Sequence, residues 1–265
     1  MIDLHCHMLP GIDDGAPDLE TALAMAQAAI DDGIKVTACT PHIYPGLFDN
    51  TIEDIEAAVA AFRQELDRAG LPLEVTHAAD IQITPELVDG LRTRRLPTFN
   101  GGRYFLFEPP HHIAPPGLLN LVHSVLAAGY VPIVTHPERL SYVDSYYDEF
   151  RRAVDMGAWM QITGGAVTGR FGNRVQAVAQ RFLGDGLVHL LASDGHNLKK
   201  RRPVLSEARV AAAEWVGEEE SWRLVRDRPR AILDDIPPEQ VAPPEVAPPA
   251  SAQQASKGFF ARLLS

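Results

Sequence analysis

Short apolar runs alternate with longer amphipathic segments about seven times along this chain, and that alternation restricts the fold more than any other feature. The runs cover residues 2–4, 34–39, 73–79, 104–107, 131–135, 158–163 and 188–192. Most are nearly continuous in apolar and β-branched residues, as parallel strands buried on both faces require. The segments between them carry helix signals. Over 18–32, Leu19, Leu23, Ala26 and Ile30 form one stripe and Gly33 supplies the stop. The next opens with Thr51-Ile-Glu-Asp54, a capping box with Asp in the Glu position. Its stripe is Ile55, Val59, Phe62 and Leu66, and Gly70 ends it. Further helices are expected over 116–128, 146–156, 173–183 and 204–215. Repeated strand–helix alternation implies an α/β fold, either a parallel barrel or a doubly wound sheet.

The 265 residues suffice for one large domain, and α/β barrels of this size form single units. Lys and Arg number 24 against 35 Asp and Glu, a net charge of −11, which argues against nucleic-acid partners. No apolar run is long enough to span a membrane. Two cysteines, Cys6 and Cys39, are too few for a disulfide framework. No export signal is read, so a cytoplasmic protein is expected. The expected division is a folded domain over 1–236 and a Pro/Ala-rich linker with a short apolar end over 237–265. Within that end, Phe259, Phe260, Leu263 and Leu264 fall on one helical face, which fits a tether that docks on a partner.

Potential metal ligands fall at the ends of six of the seven runs: His5 and His7, His42, Asp80, Glu108, His136, then Asp194 and His196. In a parallel barrel these ends open on one face, so the groups would converge. Mixed imidazole and carboxylate donors favour Mn, Fe or Zn over an all-oxygen calcium site. His5 and His7 are two residues apart, so on an extended chain both point the same way. Asp194 and His196 repeat that spacing. Asp14 lies on the first loop and can reach the same cleft, although both Asp13 and Asp14 also read as plain turn residues beside glycine. His77, His111, His112, His123 and His189 are read as structural or exposed, and Cys6 as core.

These motifs together resemble the PHP (polymerase and histidinol phosphatase) superfamily, and within it the bacterial tyrosine-protein phosphatases of capsule and exopolysaccharide loci. The matching stretches are Met1-Ile-Asp-Leu-His-Cys-His7, Asp13-Asp-Gly15, Thr40-Pro-His42, Pro97-Thr98, Thr135-His-Pro-Glu-Arg139 and Ala192-Ser-Asp-Gly-His-Asn197. The resemblance, which runs from Met1 to about Ile236, implies a distorted (β/α)7 PHP barrel, TIM-like, and the composition beyond it reads as a disordered C-terminal tail. It implies two or three divalent ions, manganese above all, with Fe2+ or Zn2+ as alternatives. Carried over by motif, His5, His7, Asp80 and Asp194 hold one ion. Asp80, Glu108 and His136 hold a second, and Asp14, His42 and His196 a third. Arg139 is expected on the substrate phosphate, and Arg201 is the matching position for a second phosphate contact. One departure stands out: the family's Gly-Ala-Glu after the third strand is Ala78-Ala-Asp80 here, one methylene shorter at the bridging position.

The implied reaction is hydrolysis of a phosphotyrosine protein, such as a bacterial tyrosine kinase of polysaccharide assembly, by a metal-activated water. A phenol with a pKa of about 10 leaves far more easily than an alkoxide. The competing functions are a small-molecule phosphatase of the histidinol-phosphate type and a non-enzymatic metal-binding docking protein. A cysteine nucleophile is excluded by spacing, because Cys-X5-Arg is missing: six residues beyond Cys6 stands Ile12, and beyond Cys39, Pro45. We therefore expect activity to survive thiol alkylation and to be lost on chelation. Loss with the alkylator alone, and retention with the chelator, would reverse that conclusion.

Overall fold

The computed structural model describes residues 1–247. Nine parallel-paired strands form two ladders. One orders β1 (Ile2–Cys6), β2 (Val36–Cys39) and β4 (Glu74–His77). The other orders β3 (His42–Ile43), β5 (Asp80–Gln82), β6 (Tyr104–Glu108), β7 (Val131–Thr135), β8 (Trp159–Thr163) and β9 (Leu190–Ala192). The ladders are continuous through two breaks. Ala78 N donates to Cys39 O at 3.1 Å, and Asp80 N to Pro41 O at 3.1 Å. At the far edge His7 N donates to Gly195 O and Asp194 N to His5 O, both at 2.8 Å. The parallel sheet is thus curled until its first and last strands meet.

Two of the seven expected runs are therefore interrupted. The second continues after Thr40-Pro41 as β3, and the third after Ala78-Ala79 as β5. Pro41 has no N–H to give a ladder, and β3 and β5 are too short to announce themselves by periodicity. Each nevertheless begins on a candidate ligand, and the register pairs His42 with Asp80 directly.

The strands feed two apolar layers. Ile2, Leu4, Tyr104, Leu106, Ile133 and Leu190 pack inside the curl with Ile232 and Leu233. Phe105, Phe107, Val134 and Leu191 face outward into the layer beneath the helices. This period-2 division explains the continuous apolar character of the runs.

Helix α1 (Leu19–Asp31) is capped by Asp18, which accepts from Thr21 N at 2.8 Å. Its buried residues are Ala22, Met25, Ala26 and Ala29. The expected stripe is rotated: Leu19 is exposed, and Leu23 and Ile30 only flank the core. Three alanines admit a close approach to the sheet that a leucine face would prevent. Helix α2 (Ile52–Ala69) follows expectation, with the Thr51–Asp54 capping box, Ile55, Val59, Phe62 and Leu66 buried, and left-handed Gly70 at its end.

After the six-residue helix α3 (Leu87–Arg92), α4 (Leu118–Ala127), α5 (Val143–Met156), α7 (Asn173–Gly184) and α8 (Ser206–Val216) match the remaining expected helices in place. The chain adds a one-turn helix α6 (Gly164–Val167) and the pair α9 (Glu218–Trp222) and α10 (Arg228–Leu233).

Composition alone marks residues 237–247 as linker, but they lie against the domain. Arg228, wholly buried, donates from Nε to Ala242 O at 2.9 Å and from Nη2 to Pro243 O at 2.7 Å, and it pairs with buried Glu220 at 2.6 Å. Ala247 N donates to Trp215 O at 3.0 Å. Residues 248–265, including the apolar terminal segment, lie outside the described residues. Removing one partner of a buried ion pair strands the other, so Arg228→Ala should cost about 3–5 kcal/mol of stability. Denaturant melts compared with an exposed control such as Arg226→Ala would measure this. Equal midpoints would show that the pair carries no weight.

Candidate metal centre

The first seven residues already set two imidazoles. The β1 register against β2 shifts between Asp3 and Cys6, the kind of irregularity that re-aims side chains near sites. His5 Nδ1 donates to Gln161 Oε1 at 2.9 Å, and His7 Nδ1 to Asp13 Oδ2 at 2.7 Å. His196 Nδ1 donates to Asp194 O at 3.0 Å. In each ring a hydrogen bond at Nδ1 leaves the Nε2 lone pair free to meet a cation, the usual way a protein fixes a ligand histidine.

Asp80 lies at the middle of the cluster. Its Oδ2 is 3.3 Å from His5 Nε2, 3.6 Å from His42 Nδ1 and 3.8 Å from His136 Nε2, imidazoles carried by three different strand ends. His42 Nδ1 is 3.4 Å from Glu108 Oε2, and His136 Nε2 is 3.7 Å from Glu108 Oε1. His196 Nε2 and His42 Nε2 approach Asp14 Oδ1 at 3.3 and 3.5 Å.

Donor atoms thus gather in four overlapping groups, each within 4.8 Å: His7-Asp14-His42-His196, His5-His7-Asp80, Glu108-His111-His136 and His42-Asp80-Glu108. All nine expected ligands enter this constellation, with Asp194 joining through contacts of 3.5 Å to His5 and 3.6 Å to His7.

The donors fit divalent cations. Asp80 is fully buried, yet neither carboxylate oxygen has a hydrogen-bond donor, and His42 Nδ1, His136 Nδ1 and His196 Nε2 are likewise buried without partners. Burial opposes charge on Asp80, but the imidazoles around it, His5 above all, hold its carboxyl well below the usual carboxylate range. A cation coordinated there would take over that role. The nitrogen and carboxylate mixture suits manganese, iron or zinc.

Burial and the crowd of charges pull the titrations apart. Burial and the neighbouring His196 push His7 down to about 3, and burial with Arg139 does the same to His136. Both are therefore neutral near pH 7, as ligands must be. Burial opposes charge on His5, but the carboxylates of Asp80 and Asp194 overcome it and raise His5 to about 9. Burial and the adjacent Asp80 lift Glu108 to about 7. A metal ion would reverse the preference at His5 and Glu108 by favouring the deprotonated ligand.

Arg139 and Arg201 are not free cations. Both grip Asp194, Arg139 by Nη1 and Arg201 by Nη2 at 2.5 Å. For Arg139 that acidic partner lies 55 residues away along the chain. The pairing holds Asp194 well below the usual carboxylate range despite its burial, chiefly through Arg201 and then Arg139. Arg139 also lies over the Phe171 ring at 4.8 Å. Arg201 reaches the site because Asn197 Oδ1 accepts the backbone N–H groups of Lys199, Lys200 and Arg201 and folds the basic run into a turn.

Other contributors were not legible. Asp13, read as a turn residue, accepts from His7, from Gly15 N at 2.9 Å and from His42 N at 3.1 Å, so one carboxylate aligns two candidate ligands. A Cβ on Gly15 would collide with the His7 backbone. Gln161, midway along β8, orients His5. Glu138, wholly buried, accepts from Thr163 N at 2.9 Å and ties the His136–Arg139 turn to the end of β8. His111 stacks on His136, with ring centroids 5.0 Å apart, and belongs to a donor group.

His189, by contrast, packs on Trp159 as a core residue, and Cys6 and Cys39 are buried free thiols pushed upward by burial. His136 and Asp194 adopt left-handed backbone, φ 37° and 51°. Such conformations cost a non-glycine residue free energy and concentrate at functional sites.

We expect Asp80→Ala to lose at least one equivalent of bound metal and nearly all activity, and Asp80→Glu to retain or raise both. Elemental analysis together with kinetics on the two variants decides this. Full metal content in Asp80→Ala would remove Asp80 from the ligand set.

Residues 1–234 match the family described as "Capsular polysaccharide synthesis, CpsB/CapC". The chain is 33% identical over 227 residues to the tyrosine-protein phosphatase YwqE of Bacillus subtilis, covering 86% of this chain and 89% of YwqE. It is 29% identical over 240 residues to the tyrosine-protein phosphatase CpsB of Streptococcus pneumoniae, covering 89% and 99%. A solved structure from work on these two proteins, reported as unique metal-dependent tyrosine phosphatases, superposes with a TM-score of 0.86 at 31% identity, covering 94% of this chain and 100% of that one. By fold alone the chain is also similar to a phosphotriesterase from Mycobacterium tuberculosis, with a TM-score of 0.53, 13% identity and coverage of 88% and 94%. The chain belongs to the capsular polysaccharide synthesis CpsB/CapC family.

Proposed function

We propose that this protein is a metal-dependent protein-tyrosine phosphatase acting on a phosphotyrosine protein, such as a tyrosine kinase of polysaccharide assembly. The observation that carries the reading is the fully buried, donorless Asp80 ringed by His5, His42 and His136, beside two arginines, in a chain whose relatives are named tyrosine-protein phosphatases. The finer architecture we propose is a (β/α)7 barrel, with β2 and β3 as one interrupted strand and β4 and β5 as another. Residues 1–236 form the catalytic domain and the remainder its appendage. No helix among the described residues is long and apolar enough to cross a membrane, which agrees with action in the cytoplasm.

In this reading His5, His7, Asp80 and Asp194 hold one ion, Asp80, Glu108 and His136 a second, and Asp14, His42 and His196 a third. Manganese is the preferred metal. The ions supply Lewis acidity, activating water and neutralising phosphoryl charge. The chain's own groups do the rest. Gln161 and Asp13 keep His5 and His7 in the ligating tautomer. Arg139 and Arg201 each spend one donor on Asp194, and a guanidinium has five N–H groups, so both retain donors for equatorial phosphoryl oxygens as charge develops there. The burial of the cluster keeps bulk water from screening these interactions.

The small-molecule alternative shares this site, but the relatives described above are named tyrosine-protein phosphatases. The non-enzymatic alternative rested on Asp80 and the terminal tail, and the contacts of Asp80 to three imidazoles speak against it. The test is hydrolysis of a phosphotyrosine peptide against histidinol phosphate by manganese-loaded protein. We expect the peptide to be preferred, and Arg139→Ala to lose about 2–4 kcal/mol of transition-state stabilisation, as removal of one oxyanion donor does. Faster turnover of histidinol phosphate would overturn the reading, and an unchanged kcat would assign Arg139 to structure.

A further inference from the structure

A groove of about 400 Å³ opens beside the cluster, lined by Tyr44, Gln82, Glu108, Pro109, Pro110, His111, His112 and Ile113. Glu108 at its inner end belongs to two of the donor groups, with His42 and Asp80 and with His111 and His136. The groove is therefore continuous with the candidate metal centre. Its outer walls are apolar: Tyr44 on the loop after β3, Pro109, Pro110 and Ile113 on the loop after β6. No Lys or Arg lines it. The two site arginines are engaged at Asp194, among His5, His7 and His196. Cationic and apolar recognition are thus separated along the cluster.

The walls are fixed. Tyr142 Oη donates to Pro110 O at 3.0 Å and Ser141 N to His111 O at 3.0 Å, holding the second loop. Tyr44 N donates to Phe48 O at 2.9 Å, closing a tight turn on the first. Tyr44 and Ile113 remain 38% and 75% exposed, so both are open to a ligand in the groove.

We infer that this groove is an aryl subsite: Tyr44 and Ile113 flank the phenyl ring of a phosphotyrosine whose phosphoryl group lies at the metal centre, and so discriminate aryl from alkyl phosphate esters. The inference rests on the proposed phosphatase function and specifies how its substrate class is chosen. A phosphoryl group reaching both Glu108's metal environment and the arginines must extend its ester oxygen along the cluster, and the adjoining space offers a flat hydrophobic substituent a lined slot. An alkyl ester would leave it filled with water. Burying one face of a ring against such walls strengthens binding on the order of tenfold.

The test uses non-hydrolysable probes on full-length, manganese-loaded protein. Calorimetry should show phenylphosphonate binding about tenfold more tightly than methylphosphonate. Tyr44→Ala and Ile113→Ser should each shrink that ratio to roughly threefold or less, and Tyr44→Phe should keep it. Both altered side chains are exposed, and circular dichroism confirms folding. Equal binding of the two phosphonates to the unaltered protein, or an undiminished ratio in the Tyr44→Ala/Ile113→Ser double variant, would overturn the aryl subsite. Because no phosphonate is hydrolysed, the result stands apart from the phosphatase reading. A slot-dependent ratio with no phosphopeptide turnover would keep the subsite and reject the reaction. Turnover with no ratio would do the reverse.

Discussion

The seam where the first strand meets the segment after the last is the contact on which the site depends. His7 N to Gly195 O and Asp194 N to His5 O lock two stretches that each carry two candidate ligands. Beneath them, buried Asp3 accepts from Ser193 N at 2.9 Å and from the Ser193 hydroxyl. Closing the curled sheet completes the candidate metal centre. A sheet left open at this edge would part His5 and His7 from Asp194 and His196 and break the donor group of His7, Asp14, His42 and His196.

Much of this was legible in the sequence because ligands and strands share a register. Parallel strands end on one face, so a His, Asp or Glu just past an apolar run already has an address. That rule covers eight of the nine candidate ligands, and Asp14, on the first loop, follows mainly from the family resemblance. It failed where the chain departs from simple periodicity. β3 and β5 are two and three residues long, below the length at which a period-2 pattern can be read, and Pro41 disguises the first. The stripe of α1 was misjudged because leucine is more hydrophobic than alanine, whereas close packing on the sheet selected the small face. The pairing of Arg139 with Asp194 spans 55 residues, and no local pattern encodes it. The positioning roles of Gln161 and Asp13 likewise exist only in three dimensions, since an amide on a strand and a carboxylate in a glycine turn have ordinary local explanations.

The electrostatic design concentrates opposing demands in one place. The protein's net charge is −11, yet the cleft gathers five candidate imidazole ligands, two guanidiniums and four carboxylates. Asp194 is satisfied by arginines while Asp80 is not satisfied by any donor. The two carboxylates therefore differ in their surroundings: cationic side chains hold Asp194, whereas Asp80 faces imidazoles. Burial makes both choices consequential, because a low-dielectric setting strengthens a matched pair and penalises an unmatched one.

The seam also has a consequence in time. A ribosome adding about 5–20 residues per second needs on the order of ten seconds or more to travel from His7 to Asp194. Throughout that interval the first histidines are already outside or in the exit tunnel, without the partner strand that completes their site. On the proposed ligand set the nascent chain would not complete its site in the order in which the donors are made, and ion selection would fall to the finished sheet rather than to a short flexible His-Cys-His peptide.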